Sequence, residues 1–305
     1  MRIHEYGAAS VIRLDDIPRP VPGPGAVLIQ VAATSFNPSD IGLRRGLLRS
    51  VLPMELPLTL GGEVAGTVVE IGDGVSTLAV GDRVIGRCGG AAAEYVVAAA
   101  DTLVAAPTAI PLSHAAAIPI AGVTAWQAVF EHARITPGQR VFVNGAGGAV
   151  GGFAVQLAKH AGARVIATAG PHSTEAVGRL GADEIIDYTA GDPADAIDGP
   201  VDTMLNLAVV SARQAATLVR VVRPGGVVVS VTVPVETPTG SRVTGAHFVA
   251  RNDTGHLAAL VKLVDAGALR VAVGAERPLA DLASVHHEAE FGHTRGKIIL
   301  VPYAA

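Results

Sequence analysis

The stretch VFVNGAGGAVGGFAVQLAK, residues 141–159, constrains the fold of this 305-residue chain more than any other. VFVN at 141–144 is an apolar run of strand length, and the spacing that follows predicts a helix over about 149–161. A strand that enters a helix through glycines leaves the first helical N–H groups unpaired, and together with the helix dipole they form a seat for an anion. Gly145, Gly148 and Gly151, spaced three apart, allow a tight turn, close approach of a diphosphate to bare backbone, and close helix-on-strand packing. Ala146, Ala149 and Val150 complete that loop. The same letters serve any strand-to-helix turn, so context decides. Strand-length runs follow at 164–169 (RVIATA), 184–188 (EIIDY), 203–208 (TMLNLA) and 226–233 (GVVVSVTV), separated by crossover segments, with a helix near 174–180. That alternation predicts a parallel sheet with helices on both faces, the setting of a dinucleotide site.

Before residue 110 the texture is different. AVLIQVAAT, EVAGTVVEIG, DRVIG and AEYVVA are short β-like runs divided by Gly, Pro and Asp, which predicts an all-β, barrel-like unit. A helix near 254–266 and a last β run, KIILVP, follow the parallel-sheet region, so the tail can rejoin the first unit. Half the residues are hydrophobic and 16% charged, which excludes a disordered chain. Net charge −4 with scattered Lys and Arg excludes a nucleic-acid partner of the phosphate-neutralising kind. The single cysteine, Cys88, excludes an internal disulfide framework and a four-cysteine zinc site, and fits a reducing cytoplasm. Cys88 reads as a small buried residue, since no cysteine-hydrolase motif surrounds it. MRIHEYG does not have the pattern of a signal peptide. Residues 102–130 lack Asp, Glu, Lys and Arg, but Pro107, Pro111 and Pro119 would break a single spanning helix, so no membrane span is expected.

In dinucleotide folds a carboxylate after the second strand binds the adenosine ribose of NAD. Here that strand ends TAGPHST, with Gly170 in the carboxylate's place and Glu175 only later, within the next helix. The missing charge removes repulsion toward a 2′-phosphate and favours NADPH. No Arg or Lys lies in the turn, so the donors there are His172, Ser173 and Thr174. Leu207, Ala208, Val231 and Thr232 lie just past C-terminal strand ends, where nucleotides bind in open α/β sheets.

The ordered set EYG, VPGPGAVLIQV, NPSD (37–40), LGGEVAGTVVEIG, GDRVIG, AAEY, TAW, GQRVFVNGAGGAVG, LGADEIIDY, RPGG and RGKIIL resembles the zinc-independent quinone oxidoreductase branch of the medium-chain dehydrogenase/reductase family from end to end. The resemblance implies an α/β fold: a GroES-like β-barrel catalytic domain at 1–118, completed by 267–305, with a Rossmann NADP(H)-binding domain at 119–266. Zinc-dependent relatives carry a Cys where Asn37 stands, a His where Gly62 stands, and a four-cysteine lobe. The implied hydride transfer is therefore metal-free.

The implied catalytic residues are Asn37, Asp40, Arg44 and Thr124. Asn37 can donate to the substrate or the nicotinamide carboxamide, and Asp40 orients its neighbours, because a carboxylate cannot stabilise an enolate. On local grounds NPSD is equally a turn and helix-cap sequence, Thr124 a helical residue, and Arg44 a surface cation with Arg45 as an alternative. Many relatives place a tyrosine beyond this segment; GLLRSVLPMEL has none, which leaves an apolar lining from Leu47, Leu48, Val51, Leu52 and Met54 and solvent as the proton source. Tyr188 matches a family tyrosine at the adenosine end, or caps a strand. Gly296 and Lys297 match a glycine–lysine pair that closes over the cofactor, or Lys297 is a strand-edge charge. His286, His287, Glu288, Glu290 and His293 resemble a metal cluster but read as the solvated face of a helix, so no metal is expected.

The expected function is NADPH-dependent reduction of quinones or α,β-unsaturated carbonyls. The alternatives are an enoyl reductase acting on fatty-acid or polyketide thioesters and a non-catalytic NADPH-binding protein. Resemblance further implies a homodimer paired through a strand from GAHFVAR, 245–251.

Overall fold

The computed structural model describes residues 1–50, 53–237, 240–292, 294 and 296–302. The chain divides into two compact units, Met1–Ile120 with Asn252–Gly267 and Val271–Ala305, and Ala121–Arg251 with Ala268–Arg270.

In the first unit the chain forms β1 (Arg2–Ile3), β2 (Ile12–Arg13), β3 (Ala26–Ser35), α1 (Pro38–Arg44), β4 (Leu58–Thr59), β5 (Glu63–Ile71), β6 (Arg83–Arg87), β7 (Tyr95–Ala99), β8 (Leu103–Ala105) and α2 (Leu112–Ala115). α3 (Pro119–Trp126) leads into the second unit, where β9 (Arg140–Asn144), α4 (Ala149–His160), β10 (Arg164–Ala169), α5 (Thr174–Arg179), β11 (Glu184–Asp187), α6 (Pro193–Ala196), β12 (Val201–Asn206), α7 (Ala212–Val219), β13 (Val222–Ser230) and β14 (Thr244–His247) follow. The chain returns through α8 (Thr254–Asp265), β15 (Val273–Pro278), α9 (Leu282–Glu290) and β16 (Lys297–Val301).

β3 is the long strand of the first unit, antiparallel to β5, β7 and β16. β-branched side chains suit such a pleated surface, and Val27, Ile29, Val31, Val64, Val68, Val84 and Val96 fill one core on it. A second core gathers Ile3, Phe36, Leu60, Leu282, Val285 and Leu300, so the tail contributes a strand and a helix to the unit that the N-terminus begins. α8 belongs to this unit and not, as the sequence division at 119–266 has it, to the nucleotide unit. Asp265 at its end accepts from the N–H of Thr108 at 2.7 Å and of Ala109 at 2.9 Å. Residues 268–270 join the second unit, where Gln156 Nε2 donates to Arg270 O at 3.0 Å and Arg270 N–H donates to Gln156 Oε1 at 2.8 Å.

The second unit is a six-stranded parallel sheet in the order β11-β10-β9-β12-β13-β14. The chain starts at β9, moves outward through β10 and β11, then crosses back to β12 on the other side. Adjacent crossovers therefore leave in opposite directions from the carboxyl ends of β9 and β12, and a crevice opens there. Strands end earlier than the apolar runs suggest, so Tyr188, Leu207, Ala208, Val231 and Thr232 lie just past strand ends. The charge-free stretch 102–130 folds into β8, α2, α3 and part of a π-helical turn, Gln127–His132. Among the described residues no helix is long and apolar enough to cross a membrane.

Phe142 in the central strand β9 is fully buried against Ile166, Met204 and Val228. Phe142→Ala is expected to destabilise the protein by about 3–5 kcal/mol, read as a lower urea midpoint.

Candidate functional site

The glycine loop sits at the carboxyl end of β9, in the sheet crevice of the second unit. Gly145 has φ +93°, and a Cβ there would lie 2.8 Å from the Ala208 backbone nitrogen, so both conformation and contact require glycine. A Cβ on Gly151 would strike the Gly145 carbonyl and come within 2.6 Å of Ala146 Cα. Gly148 differs. It is exposed, its φ of −84° suits any residue, and a Cβ would meet only the Gly145 carbonyl, at 3.4 Å. The fold itself does not demand glycine there. As N-cap of α4 it offers no side chain to the first-turn N–H groups, which leaves room for an anionic ligand against them.

A polar chain that sequence reasoning missed fixes this loop. Gly145 N–H donates to Thr168 Oγ1 at 2.8 Å, Thr168 Oγ1 to Asn144 Oδ1 at 3.0 Å, and Asn144 Nδ2 to Asn206 Oδ1 at 2.9 Å. Asn206 Nδ2 reaches Ser230 Oγ and Thr232 Oγ1, both at 3.1 Å, and Thr232 Oγ1 donates to Ala208 O at 2.9 Å. Leu207 N–H donates to Asn144 O at 2.9 Å and Val231 N–H to Asn206 O at 3.2 Å. One line of hydrogen bonds thus runs across the ends of β10, β9, β12 and β13. Single polar residues closing apolar runs were the available signal.

At the end of β10, Ser173 and Thr174 bond within their own turn. Thr174 Oγ1 donates to Gly170 O at 3.0 Å, and Ser173 Oγ lies 3.2 Å from both the Gly170 N–H and its carbonyl. These hydroxyls close their own turn. His172 is exposed beside them, and Glu175 pairs with Arg179. Tyr188 is 56% exposed, and a Cβ on Gly170 would lie 3.0 Å from its hydroxyl. Thr124 lies buried in α3 of the second unit.

The first unit gathers Asn37, Asp40 and Lys297 around a residue that sequence reasoning passed over, Glu63. Glu63 is fully buried; Oε1 accepts from Ser35 Oγ, from Asn37 Nδ2 at 2.7 Å and from Lys297 Nζ at 2.9 Å, and Oε2 accepts from Ile120 N–H at 2.7 Å. Lys297 Nζ also donates to Asn37 Oδ1 at 2.6 Å and Phe36 O at 3.1 Å. Its three protons are all used inside the unit, and β16 lies between β15 and β3. Lys297 is therefore not a strand-edge charge, and Gly296, at φ +57°, serves the turn into β16. A glutamate heading the apolar run EVAGTVVEI and a lysine heading KIILV were the signal: buried charges require partners.

Asn37 caps α1, and its N–H donates to Asp40 Oδ2 at 2.9 Å. Burial pushes the Asp40 carboxyl up to about 7, against the opposing effect of that N–H. Arg44 turns away from this group. It is fully buried, donating to Gly7 O at 2.9 Å and to Glu290, which Arg45 also meets at 2.9 Å. The reading of Arg44 as a surface cation is corrected: it is buried and ties α1 to α9. His286 beside it is buried, edge-on to Phe36 at 5.0 Å, and burial with the Arg44 cation lowers it to about 4. HHEAE is thus not simply a solvated face; His286 and Val285 form its inner side, while Glu288 binds Arg277 at 2.7 Å and His287 is exposed. His293, Val51 and Leu52 lie outside the described residues. Leu47 is 70% exposed, and Met54 holds Tyr6 Oη through its carbonyl at 3.3 Å. Cys88 is half-buried, its thiol pushed up to about 12 by burial and by the Glu63 carboxylate, the reverse of an activated nucleophile.

Residues 23–108 match the alcohol dehydrogenase GroES-like domain and residues 180–300 the zinc-binding dehydrogenase family. The chain is 32% identical to the chloroplast envelope quinone oxidoreductase homolog of Arabidopsis thaliana, over 97% of this chain and 95% of that one. It superposes on the quinone oxidoreductase of Coxiella burnetii with TM-score 0.88 and 30% identity, covering 99% and 98% of the two chains. A mycobacterial protein complexed with NADPH gives TM-score 0.87 and 27% identity, with 99% of each chain covered.

The two perturbed groups oppose each other in pH. Asp40, raised in the fold from near 3.8 to about 7, adds stability that is full below pH 4 and lost as pH rises through 7. His286, lowered from 6.5 to about 4, adds stability that is full above pH 6.5 and lost as pH falls through 4. Relative to wild type, Asp40→Asn should gain stability from pH 4.5 to 6.5 and His286→Phe should lose it, each by at most ~1.4 kcal/mol per pH unit. Urea unfolding at the two pH values reads both.

Proposed function

The chain belongs to the zinc-independent quinone oxidoreductase branch of the medium-chain dehydrogenase/reductase family, and from that premise we propose that it reduces quinones or α,β-unsaturated carbonyls with NADPH. The observation that carries the reading is Gly148, an exposed glycine that the fold does not require, at the start of a helix in the crevice of a parallel sheet. The loop fits a dinucleotide diphosphate. Gly145, Ala146 and Gly151 shape it, Ala149 and Val150 present first-turn backbone to the anion, and Leu207, Ala208, Val231 and Thr232 line the neighbouring strand ends. Toward the adenosine, Gly170 brings no carboxylate, and His172 and Tyr188 stand exposed, so NADPH is favoured by lack of repulsion rather than by a cation.

When bound, NADPH supplies the hydride. Hydride arriving at a conjugated carbon leaves negative charge on the substrate oxygen, and a donor must meet it. Asn37 is the donor in the first unit, with Asp40 holding its backbone N–H and Thr124 assigned to the nicotinamide side. Asn37 and Gly62 stand where zinc-dependent relatives have ligands, and the Lys297 ammonium 2.6 Å from Asn37 Oδ1 disfavours a second cation there. Solvent supplies the proton. A homodimer through the free edge of β14 and a cytoplasmic location complete the proposal; light scattering showing a monomer would remove the first.

NADPH oxidation assayed with 9,10-phenanthrenequinone, 2-alkenals and enoyl thioesters tests the substrate class. Turnover of thioesters alone would replace the proposal by an enoyl reductase, and tight NADPH binding without turnover of any acceptor by a binding protein. Gly148→Ala should weaken NADPH binding roughly tenfold, ~1.4 kcal/mol in calorimetry, at an unchanged melting temperature, whereas Gly151→Ala should lower the melting temperature itself. Asn37→Ala should reduce kcat by about 10²–10³ with little change in NADPH affinity.

A further inference from the structure

We propose that Glu63 and Lys297 are positioning residues that lock the Asn37 carboxamide in one orientation and present its second Nδ2 proton to the substrate oxygen, an inference that rests on the reductase reading above. A carboxamide has two faces of similar shape, one accepting and one donating, and a half-turn exchanges them. Here its two ends meet groups that cannot exchange roles. The Lys297 ammonium is donor-only and lies 2.6 Å from Oδ1; the Glu63 carboxylate accepts from Nδ2 at 2.7 Å. The half-turn would set the amide's protons against an ammonium and its oxygen against a carboxylate, two repulsive contacts in a buried place.

The two charges are themselves immobilised. Lys297 is 2% exposed and uses its remaining proton on Phe36 O; Glu63 is fully buried and also accepts from Ser35 and the Ile120 N–H. They bond to each other at 2.9 Å, so the pair brings no net charge to the site. Among the described residues only one of the two Nδ2 protons is used, by Glu63. The other is the donor that a developing oxyanion needs, and it is already oriented before the substrate arrives, which is the condition under which such donors act most strongly.

The test begins with the wild-type protein. With ¹⁵N-asparagine labelling, and the Asn37 side-chain signals assigned by their loss in Asn37→Ala, one Nδ2 proton should exchange slowly with solvent. The other should shift when NADP⁺ and 9,10-phenanthrenequinone are added together, a pair that cannot react because both are oxidised. Equal exchange of both protons, or a second proton that does not respond, overturns the proposal. The charge-neutral pair Glu63→Gln with Lys297→Met then frees the half-turn without stranding a buried ion. It should lower kcat about tenfold, with the KM for NADPH unchanged, and should add no further loss in an Asn37→Ala background. An equal loss in both backgrounds overturns it. A wild type that turns over no acceptor sinks the reductase reading instead, and the exchange pattern still reports on Asn37.

Discussion

A carboxylate and an ammonium withdrawn from water, Glu63 and Lys297, are the contact on which the first unit turns. Burying each ion carries an effective penalty of several kcal/mol, and their attraction offsets that only where every remaining proton and lone pair is met. Here they are met. Four donors converge on Glu63, and three acceptors on Lys297, drawn from β3, the segment leading into α1, β5, β16 and the start of α3. Residues 234 positions apart in sequence are thereby tied, and the last strand is held against β3 beside the Asn37 loop. The pair makes the C-terminal tail part of the first unit.

The second unit solves a similar problem without charge. Its crevice needs backbone groups that are well placed yet uncovered, so the loop cannot be held by side chains reaching over it. The hydrogen-bond chain from Thr168 through Asn144 and Asn206 to Thr232 holds it from beneath, with neutral groups only. A charge there would change the affinity of the crevice for an anion. Amides and hydroxyls fix geometry while leaving the potential to the helix start.

Much of this was legible in the sequence, and the rest was hidden for identifiable reasons. The strand, glycine turn and helix at 141–160 follow from apolar periodicity and glycine spacing, which are local. β10 and α4 fall within a residue of expectation for the same reason. Partners across the chain are not local. Lys297 was visible as a charge heading an apolar strand, but its partner lies on β5, and only the fold shows that all its protons are used. Arg44 likewise looks like a free cation in RRG, although Glu290 and the Gly7 carbonyl take its guanidinium into the interior. Ser173 and Thr174 show the local counterpart: polar residues in a turn are first of all partners for that turn's own backbone.

On the proposed reading of Asn37 as the donor, the electrostatics around it account for an amide where a stronger group would be expected. An ammonium aimed directly at the substrate oxygen would bind the product anion too well and would need its own counter-ion nearby. The carboxylate supplied for that purpose would then oppose the charge it was meant to accept. Placing the ammonium and carboxylate together behind an amide separates the two tasks. The ion pair supplies rigidity and cancels its own charge; the proposed role left to the amide is one directed proton with no formal charge. Asp40 fits the same logic from the other side, because burial raises its carboxyl to about 7 and so limits the negative charge beside Asn37.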